Sequence, residues 1–208
     1  MNSQVMSGVA ASHRPRACRI LAQLQGDPLR ATYETFIRAR YAEAHGARLV
    51  QFMPNLIGCL GADEQPLAVL GYRSAADDRL FLEQYVDGPI EQVIESSLEC
   101  IPTDEPVARI GRRRIVEVGN FASRDRQATL ELMQRLPGYL AGEGFEWLVF
   151  TGTPRVCALV AGFGAPLLDL GSADSTRVNG GTEQWGRYYD GTPRVMAGWL
   201  GHCVRVAA

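Results

Sequence analysis

The sequence predicts an α/β protein with a mixed central sheet flanked by helices, and two patterns carry that prediction. In the first half, apolar runs at 56–60 and 67–72 flank the polar, turn-rich stretch 61–66, the pattern of an antiparallel hairpin. In the second half, apolar strands at 114–118, 147–151 and 166–170 alternate with helical periodicity at 124–140 and 154–163. Strand, helix, strand, helix, strand is the order of a sheet layered by helices.

The elements follow in order. Residues 1–18 are rich in Ser, Ala and Arg and read as a partly ordered leader, with 19–208 as one domain. Residues 19–25 alternate as a first strand. Asp27 and Pro28 then start a helix, the carboxylate capping free N–H groups and proline taking the first helical position. Leu29, Tyr33, Phe36, Ile37, Tyr41 and Ala44 recur at helical spacing until Gly46 stops them. A strand is expected at 48–53, ended by Pro54-Asn55. After the hairpin, 80–85 is a short amphipathic turn or helix, Pro89 opens a helix to about Leu98, and 101–105 is a loop. From about 172 the chain is polar and Gly-rich, then aromatic, and is expected to be irregular.

Composition excludes several classes. With 208 residues, 46% hydrophobic and 21% charged, the chain can bury a substantial core. A net charge of -2 is the wrong sign for nucleic-acid binding. All 21 cationic side chains are Arg, so no lysine can serve as Schiff-base nucleophile or general base. No apolar run approaches the ~18–20 residues of a membrane span, and the arginines near the N-terminus follow the apolar runs, the reverse of a secretory signal. Five scattered cysteines without a C-x-x-C pair indicate neither a disulfide framework nor a zinc site, and three histidines do not make a metal centre. A reducing compartment, the cytoplasm, is expected.

Three places can carry chemistry. The turn Ala122-Ser123-Arg124-Asp125-Arg126-Gln127 leads from a strand into a helix, where free N–H groups, the dipole and two guanidinium forks suit a phosphate. It can also be an ordinary helix start, capped by Ser123 and with its arginines solvated. Glu117 lies between Val116 and Val118 in an apolar strand, so burial should raise its pKa into the range of a general base. It can also be a structural partner of Arg73 or Arg114. Tyr188 and Tyr189 are packing anchors or a proton donor. His202 and Cys203 are chain neighbours, which rarely adopt dyad geometry.

Several stretches, in order along nearly the whole chain, together resemble the thermostable hemolysin family. They are Phe36-Ile37-Arg38-Ala39-Arg40-Tyr41, Gln51-Phe52-Met53-Pro54-Asn55-Leu56, Leu70-Gly71-Tyr72-Arg73, Leu80-Phe81-Leu82-Glu83-Gln84-Tyr85, Val116-Glu117-Val118-Gly119-Asn120-Phe121-Ala122-Ser123 and Trp185-Gly186-Arg187-Tyr188-Tyr189. That family is distantly similar to acyl-homoserine lactone synthases and to the wider N-acetyltransferase-like (GNAT) superfamily. The resemblance implies a GNAT-like fold and an acyltransferase, moving a group other than an aminoacyl group from acyl-CoA or acyl-carrier protein to an amino-acid-like amine. The acyl thioester would be a co-substrate, with no tightly bound cofactor and no metal. Glu117, Arg73 and Tyr188 would be catalytic. Val118, Asn120, Phe121, Ala122, Ser123, Arg124 and Arg126 would bind the donor. Gly119-Asn120 stands where lactone synthases carry Ser-Arg, so lactone formation is not implied. An acyl chain would be lined by residues near 52–60 and 80–85. The alternatives are a directly membrane-lytic hemolysin and a non-catalytic protein that binds acyl thioesters.

Overall fold

A computed structural model describes residues 28–100, 109–164, 166–179 and 181–201. The expected leader, the strand at 19–25, the cap Asp27, the loop at 101–105 and the His202–Cys203 pair lie outside the described residues.

Helix α1 (Pro28–His45) ends at Gly46, whose φ of 67° is left-handed. Its apolar stripe buries Tyr33 and Ile37 completely. Strands β1 (Asn55–Leu60) and β2 (Pro66–Ser74) form the expected hairpin, with Ile57 opposite Leu70. A 3-10 turn, Phe81–Gln84, precedes α2 (Ile90–Glu99). The second half supplies β3 (Ile115–Ser123), α3 (Arg126–Gly142), β4 (Trp147–Gly152), α4 (Pro154–Ala161), β5 (Leu167–Ser172) and β6 (Arg194–Trp199). The strand order is β1-β2-β3-β4-β6-β5. Only the β3–β4 pair is parallel; every other pair is antiparallel.

The two faces are packed by different helices. On one, Leu132, Leu136 and Leu140 of α3, with Val156 and Val160 of α4, cover Ile57, Leu70, Val116, Leu148 and Phe150. On the other, α1 covers Leu56, Leu60 and Val69, while Ile90 and Ile94 of α2 cover Ile115, Val149 and Val195. This is the mixed sheet with flanking helices that the alternation predicts.

Two expectations are corrected. Residues 48–53 are not a strand. Their backbone is tied sideways, Arg48 N donating to Gln184 O (2.6 Å) and Met53 N to Asn120 Oδ1 (2.7 Å), so it joins no ladder. The segment after 172 does contain 3-10 turns, but Arg194–Trp199 is β6, inserted between β4 and β5. Val195, Met196, Ala197 and Gly198 are all buried, and a strand buried on both faces has no alternation to reveal it.

Two irregularities in β3 create the site. Val69 pairs with Ala122 but Gly71 pairs with Gly119, so Asn120 and Phe121 together oppose Leu70 in a β-bulge. Asn120 takes the left-handed φ of 50° that the extra residue requires. The Met53 side chain lies over the neighbouring glycines. A Cβ on Gly71 would come within 2.5 Å of its Cβ, and one on Gly119 within 2.7 Å of its Cε. On its other edge β3 pairs with β4 only from Ile115↔Trp147 to Val118↔Phe150. Both strands then continue without each other, so the sheet splays open at its centre.

Candidate active site

A cavity of about 230 Å³ runs through that splay. Its wall includes residues from both faces of the sheet. On the α1–α2 face are Tyr41, His45, Phe52, Phe81, Trp185 and Tyr188, with Arg73 and Glu117. On the α3–α4 face are Met133, Leu136, Leu148, Phe150, Val160 and Phe163. The first chamber is aromatic with one carboxylate and one guanidinium; the second is aliphatic and aromatic only. Val118, Gly119, Asn120 and Phe121 line the passage, where the free edge of β3 offers backbone N–H and C=O groups.

Glu117 is only 2% exposed. Its Oε2 accepts from Phe81 N and its Oε1 from Leu82 N, both at 2.9 Å, so the carboxylate binds the exposed N–H groups of the 3-10 turn. Burial pushes its pKa from 4.5 to about 7, against the pull of those two N–H groups and of the Arg73 charge, with Glu83 adding a smaller upward push. Glu83 is the neighbouring buried carboxylate in the same turn. It accepts from Leu80 N and Ile90 N and pairs with both terminal nitrogens of Arg112. Burial pulls its pKa up, yet Arg112 and the two backbone donors outweigh burial and hold it below 4.5. Two carboxylates bound to one turn therefore differ: Glu83 is ionised and structural, Glu117 is poised near neutrality.

Arg73 stands opposite Glu117 in the β2–β3 register and lines the same chamber. Its NH1 donates to Arg79 O at 3.4 Å, and it makes no ion pair within 4.0 Å among the described residues. Tyr188 donates from its hydroxyl to Thr151 O (3.2 Å) where β4 leaves β3. Burial, with Tyr41 and Tyr189 nearby, pushes its pKa well above 10. Its ring meets those of His45 (5.4 Å), Trp185 (5.7 Å) and Tyr189 (5.4 Å).

The predicted residues thus divide. Glu117, Arg73, Tyr188, Val118, Asn120 and Phe121 converge on the cavity. Ala122 is buried against α1, and Ser123 bonds Thr129 Oγ1 (2.6 Å). Asp125, not Ser123, caps α3, accepting from Ala128 N at 2.8 Å. Arg124 and Arg126 are exposed at that helix start, and Arg124 lines a separate shallow groove against α1. Arg40 reaches the same turn, its Nε donating to Ser123 O at 2.9 Å. As for the expected acyl lining, Phe52, Met53, Phe81 and Tyr85 do reach the cavity, but Leu56 and Leu60 pack under α1, and the wholly apolar chamber belongs to α3, α4, β4 and β6.

Sequence reasoning missed His45, Trp185 and Glu83. His45 follows Tyr41 by one helical turn and stacks with it at 5.8 Å, a spacing visible in the sequence. Burial first, then the Arg187 charge, lowers its pKa below 6.5. Glu83 sits in an apolar run, and such a buried carboxylate needs a partner that only the fold reveals. Among the described residues no group of three or more His, Cys, Asp and Glu is arranged to hold a metal, and no helix is long and apolar enough to cross a membrane.

Similar folds occur among solved structures, including an N-acyl amino acid synthase, a lactone synthase and an N-acetyltransferase. FeeM, an N-acyl amino acid synthase from uncultured soil microbes, is 13% identical with a TM-score of 0.56, covering 91% of this chain and 95% of its own. The CoA-dependent acyl-homoserine lactone synthase BjaI, solved with SAM and isopentyl-CoA, is 12% identical with a TM-score of 0.55, covering 92% of this chain and 88% of its own. An agmatine N-acetyltransferase is 13% identical with a TM-score of 0.51, covering 88% and 98%. At such identities the likeness establishes the fold, which is GNAT-like. No curated protein sequence matches the chain. The sequence profile of the thermostable hemolysins matches residues 23–204, and the chain belongs to that family.

Proposed function

We propose that this protein is an N-acyltransferase, moving an acyl group from acyl-CoA or acyl-carrier protein to an amino-acid-like amine. The observation that carries the reading is the cavity through the splayed sheet. It joins a chamber holding a carboxylate poised near neutrality to a chamber with no charged wall, and an exposed strand edge lies between them. The extended, amide-bearing arm of an acyl thioester suits such an edge, since it can pair with β3 as an added strand would. Its acyl chain would then enter the apolar chamber. The diphosphate of CoA would lie at the exposed start of α3, near Ala122, Ser123, Arg124 and Arg126. The fold likeness to an N-acyl amino acid synthase and to an N-acetyltransferase supports the same class.

In this reading Glu117 takes a proton from the acceptor's ammonium, directly or through a water. The free amine attacks the thioester carbonyl, the C–N bond forms and the C–S bond breaks. The departing thiolate takes a proton from the Tyr188 hydroxyl at the splay, and the second proton lost by the amine nitrogen as the amide forms restores that hydroxyl. Arg73 orients Glu117 or the acceptor. Positioning and proton removal supply the catalysis. A hemolytic phenotype would then be indirect, through an acylated, detergent-like product, and the protein would work in the cytoplasm. The test is release of free thiol from octanoyl-CoA by the purified protein, dependent on an added amine. Release that ignores the amine, or no release with acyl-CoA or acyl-carrier protein, would remove the proposal.

A further inference from the structure

Trp185 Nε1 is buried and has no hydrogen-bond partner among the described residues. An indole N–H can only donate, and a buried donor left unmade is costly, so it calls for an oxygen that the described residues do not provide. The nearest rings are Phe81 (5.4 Å), Tyr188 (5.7 Å) and Tyr189 (6.4 Å), which surround the indole with carbon.

The indole is also held in place on both sides. Trp185 N donates to Thr182 O (2.8 Å), and Arg48 N to Gln184 O (2.6 Å). Immediately after it, Gly186 lies in the left-handed region at φ 54°, so close to α1 that a Cβ there would sit 2.2 Å from His45 O. Arg187 N then donates to that same carbonyl at 2.8 Å. This backbone is pinned against the end of α1, and the ring it presents to the cavity is preorganised.

The chamber that Trp185 walls contains one arginine and one carboxylate, Arg73 and Glu117, opposite each other in the strand register. Phe81 connects them to the indole, since its ring faces Trp185 and its N–H binds Glu117. We propose that Trp185 recognises a carboxylate on the acceptor, its Nε1–H donating to one oxygen while Arg73 holds the other. The acceptor class is then an amino carboxylate, with the amine directed at Glu117. This rests on the acyl-transfer reading above and adds the recognition element to it. An amine lacking the carboxylate would leave the buried indole N–H unpaired and Arg73 without a counter-charge, which is the strong form of discrimination.

The test measures binding, without turnover. The full chain and Trp185→Phe are titrated calorimetrically with N-octanoyl-L-leucine and with its decarboxylated counterpart, N-isopentyloctanamide. The parent should bind the carboxylate probe at least about tenfold more tightly, and Trp185→Phe should lose most of that preference. Trp185→Phe should weaken the carboxylate probe much more than the neutral amide, whose retained binding reports a cavity that is still formed. Equal affinity of the parent for the two probes, or a preference that survives in Trp185→Phe, overturns the inference. A parent that discriminates between the probes but releases no thiol from either octanoyl-CoA or octanoyl-acyl-carrier protein in the presence of leucine would sink acyl transfer and leave carboxylate recognition standing.

Discussion

Arg73 and Glu117 face each other across β2 and β3, yet they form no direct ion pair. The carboxylate spends its hydrogen bonds on Phe81 N and Leu82 N, while Arg73 acts on it only as a nearby charge. An intimate buried pair would hold Glu117 fully ionised, as Arg112 holds Glu83. Distance from Arg73 leaves burial as the dominant influence, and the group titrates at about 7.

The two carboxylates predict opposite pH effects on stability. Glu117 has a folded pKa raised from 4.5 to about 7, so the folded state holds a proton that the unfolded chain has released between those values. Its contribution is therefore full below about pH 4.5 and declines as pH rises to 7. Glu83 is shifted down, so its contribution is present above 4.5 and is lost as pH falls. Melting curves should show the parent's advantage over Glu117→Gln largest at or below about pH 4.5 and smaller at pH 8. Glu83→Gln should show the reverse trend.

Glu83→Gln also removes one of the two carboxylates that pair with the partly exposed Arg112, leaving it Glu91 at 2.8 Å. Breaking that pair should cost about 2–3 kcal/mol, less than the roughly 3–5 kcal/mol of a fully buried pair, because Arg112 retains some solvent and Glu91. Denaturant titration measures it. A loss below about 1 kcal/mol would mean that the Glu83–Arg112 contact does not hold the turn.

The apolar chamber should set acyl length. Val160→Phe on α4 narrows the space beside Leu136 and Phe163 at an overpacking cost of about 1–3 kcal/mol. Competition binding should show dodecanoyl-CoA weakened and butanoyl-CoA nearly unaffected. An equal effect on both would place the acyl chain elsewhere.

Arg124→Ala combined with Arg126→Ala tests the exposed start of α3. Binding of CoA should weaken at low salt, and the difference from the parent should shrink at high salt, because screening already reduces the charge contribution. Unchanged binding at low salt would remove the diphosphate from this turn, where the Asp125 carboxylate already occupies one N–H group.

Much of this fold is legible in the sequence, for physical reasons. The hairpin is bracketed by turn residues, and Pro89 and Pro154 mark their helices through the fixed φ of proline. Glu117 stands out as a lone charge in an apolar strand. Strand β6 hides because it is buried on both faces. The bulge hides because register is a property of two strands, and nothing within 116–123 announces that Asn120 and Phe121 share one partner. Trp185 looks like any aromatic in a tail until Gly186 and the carbonyl of His45 show how tightly that tail is seated.

The most direct test of the account is the pH profile of acyl transfer in the parent and in Glu117→Gln. With octanoyl-CoA and an amino acid acceptor, parent kcat/KM should rise as pH increases through about 7, as Glu117 loses its proton. Glu117→Gln should slow transfer roughly 10²–10⁴-fold and abolish that limb, with octanoyl-CoA affinity nearly intact. A variant that melts several degrees early but keeps the parent's turnover per folded molecule, with the same pH limb, would contradict the account and leave Glu117 as the anchor of the Phe81–Gln84 turn alone.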